Sequence, residues 1–301
     1  MRQVFRMRAE LPHGGADLWS DRPANRGGDR HRSTPSLTGS IHGSQPALSA
    51  LPAGLVALLV LALPAEAAAP STTLDYREYA ALLATHVDGQ GLVDYRALKA
   101  ERAALEAVVE RFAAVDEQTY GGWSQPDQLA FFINVYNANT LAAIVRKYPV
   151  DSIRRLSKPW DRRKWTLLGA QVSLNDIEHE YIRKRIDEPR IHLALVCAAN
   201  GRPPLLNEPW RGATLEQQFT TPLTKFLADQ RKFRIDRRRK AVFLSQIFKW
   251  YGQDFPSSYA PASGFGEFNR NTRAVLAFIA GHLPAEDAEF LADSPMKLMR
   301  I

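Results

Sequence analysis

The chain has 301 residues, of which 45% are hydrophobic, 24% charged and 10% aromatic, a composition that excludes disordered, fibrous and multi-span membrane proteins. Its single cysteine excludes an internal disulfide framework and any zinc site built from several thiolates. A formal charge of +7 is mild for this length, so a polyanion partner is permitted but not indicated.

Residues 1–45 are rich in Gly, Arg, Asp, Ser and Pro and carry no apolar period, so they read as disordered or as a mis-assigned start. Residues 46–67 hold an uncharged apolar run closed by Pro64 and Ala65-Glu66-Ala67. An apolar core followed by an A-x-A site is the pattern of a secretory signal. The run falls short of the ~20 residues a membrane span needs, and Pro52 and Gly54 weaken it further. Export to the periplasm or beyond the cell is expected, with a single N-terminal anchor as the alternative. Residues 68–301 are then one globular domain.

Within that domain, apolar residues recur at helical spacing over 74–86 and 96–115, separated by the turn chemistry of Asp88-Gly89-Gln90-Gly91. Ser124 is a candidate N-cap and Pro126 sits early in the next helix, which is apolar on nearly every side up to Tyr148. Such a helix belongs at the centre of a core, with Phe132 inside and Asn134 and Asn137 sharing one face. A short hairpin is predicted around Gly169, then a helix through Ile177-Glu178-His179-Glu180 capped by Ser173 or Asn175. Residues 190–197 are short, apolar and bounded by prolines, and read as a buried strand ending at Cys197. A helix over 214–230, a hairpin across Arg237-Arg238-Arg239, and helices over 245–251 and 269–282 complete the chain. The class is α+β: helix-rich, with a buried central helix packed on a small, mostly antiparallel sheet.

Four strings stand in order along this domain: Ala130-Phe131-Phe132-Ile133-Asn134-Val135-Tyr136-Asn137, Ser173-Leu174-Asn175-Asp176-Ile177-Glu178-His179, Arg190-Ile191-His192-Leu193-Ala194-Leu195-Val196-Cys197 with Pro203-Pro204-Leu205, and Leu244-Ser245-Gln246-Ile247-Phe248-Lys249-Trp250-Tyr251 with Asp254-Phe255. Together they resemble the domain-of-unknown-function family 547 (DUF547), and the chain is similar to its exported bacterial members. The resemblance implies little about activity. Members commonly carry a second cysteine before the Pro-Pro pair; here Arg202 stands in its place and Ala199 replaces a serine. A mechanism needing two thiols is therefore doubtful for this chain, whereas one using Cys197 alone survives.

A thiol nucleophile needs a base to form thiolate and a group to orient that base. His179 and His192 are the candidate bases. In a strand, residues five apart point to opposite faces, which favours His179 over His192 as the partner of Cys197. Asn134 and Asn137 are candidates to orient the imidazole or donate to an oxyanion. Glu178 is expected to fix the fold or to hold Arg183 or Arg190. His192, Glu178, Arg202 and the loop residue Trp210 are candidate binding residues. No tight metal-ligand spacing appears among His179, His192 and Glu178, and Gly264-Phe265-Gly266 lacks the context of a phosphate loop, so neither metal nor cofactor is assigned. The basic stretch 231–240 permits weak contact with an anionic surface and gives no sign of specific nucleic-acid binding. A Cys–His site in such a fold suggests papain- or transglutaminase-like hydrolases by analogy, although there the cysteine comes first in the chain. The leading expectation is an exported thiol-dependent hydrolase or acyl transferase acting on an envelope substrate. The alternative is a non-catalytic cell-envelope binding module.

Overall fold

The computed structural model describes residues 73–150, 156, 158, 160–162, 164–196, 203–293 and 297–301. Segments 1–45 and 46–67, together with Cys197 and Arg202, lie outside the described residues. The first half is helical: α1 (Arg77–His86), α2 (Tyr95–Ala100), α3 (Arg102–Ala113), α4 (Glu117–Gly121) and α5 (Gln125–Val145). α1 buries Tyr79, Leu82, Leu83 and His86, and α3 buries Leu105, Val108, Val109 and Phe112. Both are single stripes at i, i+3/i+4 and i+7, as surface helices with one core face require.

α5 differs. It is capped by Ser124, which accepts a hydrogen bond from Asp127 N–H, and every residue from Leu129 to Val145 is buried. Its length and hydropathy would suffice to cross a membrane, but it is enclosed almost entirely by the protein. Phe132 is fully buried and packs with Phe131, Tyr120 and Tyr181. α5 packs chiefly against α3 and the segments 177–183 and 212–214. Helices therefore wall the central helix.

The small hairpin β1 (Trp165–Leu167) and β2 (Ala170–Val172) turns at Gly169, whose φ of +77° suits a residue without Cβ. A capping box between Ser173 and Asp176 starts α6 (Leu174–Asp176), which runs on as a π-helix, Ile177–Arg183. A π-helix widens each turn towards five residues. Ile177 and Ile182 accordingly share the core face, leaving Glu178 and Arg183, also five apart, on a common side.

The predicted strand over 190–197 is instead a 3₁₀ helix, Pro189–Leu193, followed by irregular chain. Pro189 occupies its first turn and Glu188 caps it by accepting from Arg190 N–H. The backbone needs no strand partner: Ala194 and Leu195 N–H donate to Ile191 C=O, and Val196 N–H donates to the side chain of Asn137. Local and side-chain hydrogen bonds replace the ladder that an apolar run suggests.

The second half holds α7 (Leu215–Ala228), β3 (Phe233–Asp236), β4 (Ala241–Leu244), α8 (Ile247–Trp250), α9 (Pro256–Tyr259), α10 (Arg270–Ala280), α11 (Ala285–Asp293) and β5 (Lys297–Arg300). β3 pairs antiparallel with β4, and β5 adds in parallel on the other edge of β4. Sheet, α8 and α10 enclose a second apolar cluster around Phe226, Phe248, Phe255 and Phe278. The 3₁₀ segment is the seam between the clusters: Leu193 packs into the second, while Ile191, Ala194, Leu195 and Val196 pack into the first. His192 therefore lies between two cores.

Candidate functional site

Two short elements converge on His192. The π-helix contributes Glu178, His179 and Arg183 from the first core; the 3₁₀ helix Gly252–Asp254 and the residue before it contribute Asp254 and Tyr251 from the second. Residues three apart eclipse on a 3₁₀ turn, so Tyr251 and Asp254 reach the same imidazole. Tyr251 stacks on it, with ring centroids 3.7 Å apart and planes within 18°. Asp254 Oδ2 lies 2.7 Å from His192 Nε2.

Arg183 completes the network. Its Nε and Nη2 donate to Asp254 Oδ2 and Oδ1, each at 2.7 Å, a bidentate pair that fixes the carboxylate plane. Its Nη1 lies 2.7 Å from His179 Nδ1. Burial pushes the Asp254 carboxyl up, but the bonds from His192 and Arg183 outweigh it and hold the group at about 2. Burial pulls both imidazoles below their usual range, more than the neighbouring carboxylates restore. Both histidines are therefore neutral at pH 7.

The tautomers follow from the partners. A carboxylate can only accept, so His192 carries its proton on Nε2 and keeps a lone pair on Nδ1; a guanidinium can only donate, so His179 accepts at Nδ1 and carries its proton on Nε2. His192 Nδ1 faces Glu178 Oε1 at 4.0 Å, beyond hydrogen-bond length. Glu178 thus neighbours His192, while Arg183 is held by Asp254 and Arg190 by Glu188 and Glu216. The expected pairing of Glu178 with an arginine gives way to these closer acids.

Asn134 and Asn137 are backbone clamps. Asn137 Nδ2 donates to Ala194 C=O at 3.1 Å and its Oδ1 accepts from Val196 N–H at 3.0 Å. Asn134 Nδ2 donates to Trp210 C=O at 2.8 Å and its Oδ1 accepts from Trp210 N–H at 2.9 Å. Being i and i+3 on α5, they hold the chain just before Cys197 and again at residue 210. Buried Gln218 adds to the second clamp, accepting from Arg211 N–H and donating to Pro209 C=O. Gly91, at φ +75°, lets the 88–91 turn press on Pro204 and Leu205, where any Cβ would collide. The chain on each side of 197–202 is pinned to the core. Trp210 packs on Phe219 with centroids 4.9 Å apart and is 2% exposed, so it is a core residue rather than a groove wall.

Asp254 had no role assigned from the sequence, although it stood in one of the quoted strings as an ionisable residue beside the apolar Phe255, and Arg183 entered only as a possible partner of Glu178. Beside the network opens a cavity of about 370 Å³, with Arg183, Ile191, Asp254, Ser257 and Arg270 among its walls. Of the basic stretch 231–240, Arg231 and Lys232 pair with Asp229, Arg237 with Glu286 and Asp287, and Arg239 with Asp236.

Fold and site together define an α+β domain with an aspartate-oriented, buried histidine at the junction of two apolar clusters. Residues 120–227 match the model of the family described as protein of unknown function, DUF547, which gives the resemblance seen in the sequence a defined extent. The matched segment spans Asn134, Asn137, Glu178, His179, Arg183, His192 and Trp210; Tyr251 and Asp254 lie beyond it. Searches among curated proteins and among solved structures returned no match.

Proposed function

We propose that this protein is a thiol-dependent hydrolase or acyl transferase in which Cys197 is the nucleophile, His192 the base and Asp254 the group that orients it. The single observation carrying this reading is the 2.7 Å contact between Asp254 and His192 Nε2, which fixes the tautomer that leaves Nδ1 able to accept a proton. The assignment moves the base from His179 to His192. Once residues 189–193 form a 3₁₀ helix, the strand argument that separated His192 from Cys197 no longer applies.

In the proposed step, the Cys197 S–H proton passes to His192 Nδ1 while sulfur bonds to the acyl carbon of the substrate. The leaving group takes that proton as its bond to carbon breaks, giving a thioester. Water or an acceptor nucleophile then attacks the thioester, passing its proton to Nδ1; the C–S bond breaks, the acyl product leaves, and the sulfur takes that proton back to regenerate the thiol. Asp254 remains ionised throughout and stabilises the transient imidazolium. The Asn137 clamp on Val196 supports the reading because a nucleophile needs a rigid approach.

The apolar run and Ala65-Glu66-Ala67 support export, and an envelope substrate would follow from it. Weak contact of hairpin 231–240 with an anionic surface is part of the same proposal. Incubation of the full chain with p-nitrophenyl acetate tests the chemistry. One equivalent of nitrophenol should be released in a burst, with acetyl mass on the peptide carrying Cys197 and none in Cys197→Ser. If that peptide stays unmodified in the folded protein, a non-catalytic binding module takes the reading's place.

A further inference from the structure

A second, smaller cavity of about 160 Å³ lies where α8, the start of α10 and β5 meet, and it shares Gln253 and Asn271 as walls with the larger one. Its size suits one small group rather than a drug-sized ligand. Lys249 and Arg300 bring two cations to it, and Asn269, Asn271 and Thr272 bring polar side chains. Arg300 Nη1 is buried and has no hydrogen-bond partner among the described residues, a costly state for a guanidinium nitrogen. Burial alone moves the Arg300 guanidinium below its usual range, with no carboxylate offsetting it. The first turn of α10, capped by Asn269, forms one wall of the cavity.

We propose that this cavity is a subsite for a single oxyanion group, carboxylate or phosphate, held by Arg300 and Lys249. The group is either a free small anion or the charged end of a longer ligand whose body passes Gln253 and Asn271 into the larger cavity. The inference rests on the cavity's own cations and stands apart from the role of Cys197.

Calorimetric titration of the full chain with inorganic phosphate and with phenyl phosphate, at fixed ionic strength against a chloride control, tests it. Saturable binding is expected, weakened about tenfold or more in Arg300→Gln, since charge-assisted hydrogen bonds are among the strong ones. Lys249→Gln, an exposed position safe for folding, should weaken it several-fold, and Cys197→Ser should leave it unchanged. Tighter binding of phenyl phosphate assigns the site to the end of a longer ligand, and equal affinities assign it to the free anion. Absence of saturation above the chloride control, or equal affinity in wild type and Lys249→Gln, overturns the proposal.

Discussion

Tyr251 and Asp254 grip one imidazole from two sides: the first stacks on His192 at 3.7 Å, and the second accepts its Nε2 proton at 2.7 Å. Both come from the second apolar cluster's side of the seam, and the Arg183 they hold comes from the first. The polar network therefore joins the two halves of the fold as well as setting the chemistry of His192.

Removing the shared carboxylate should destabilise the whole domain. Asp254→Ala leaves the Arg183 guanidinium and the His192 N–H without their acceptor, and breaking a largely buried pair costs about 3–5 kcal/mol. Urea denaturation measures it. A loss below about 1 kcal/mol would mean that the seam is held by apolar packing alone.

Stability should also fall in two acid windows. His179 and His192 protonate more readily unfolded than folded, so stability is complete above pH 6.5 and declines as pH falls through their lowered folded values. Asp254 has a folded value of about 2 against 3.8 in the unfolded chain. Its share, about 2 kcal/mol, is present above pH 3.8 and lost as pH drops towards 2. Melting temperatures recorded from pH 8 to pH 2 should show both declines. In Asp254→Asn the lower one should shrink, and an unaltered acid limb would contradict the assignment.

The clamps predict a local defect. Asn137→Ala strips partners from Val196 N–H and Ala194 C=O, at about 1–3 kcal/mol for each buried group left unpaired. Hydrogen exchange should rise at Val196 before the rest of the domain opens. Unchanged protection there would show that the clamp contributes nothing.

The central helix gives the largest packing effect. Phe132 is fully buried among Tyr120, Phe131 and Tyr181, so Phe132→Ala should cost about 3–5 kcal/mol in a denaturant melt. A change under about 1 kcal/mol would place the core elsewhere.

What was legible in the sequence follows from how local each signal is. The burial of α5 was readable because its apolar residues occur on every side, and the Gly169 hairpin because its turn residue is local. The 190–197 segment was misread because its backbone partners are a side chain 59 residues away and its own preceding carbonyls, neither of which leaves a period. β5 went unseen because its two apolar residues, Leu298 and Met299, are adjacent between Lys297 and Arg300 and so show no alternation. In the site, Asn134 and Asn137 stood out as polar residues in an apolar helix, yet nothing in that pattern says that their partners are backbone. Asp254 is 62 residues from His192, and only the fold brings them together.

The pH dependence of Cys197 alkylation by iodoacetamide, compared between wild type, His192→Gln and His179→Gln, tests the central claim most directly. With His192 as the base, the folded wild-type protein should label with an inflection below the free thiol value of about 8.5. His192→Gln should move that inflection to the free value or above, and His179→Gln should move it less. Superimposable profiles for wild type and His192→Gln, or a larger shift in His179→Gln, would contradict the assignment of His192 and Asp254 as the pair that activates Cys197.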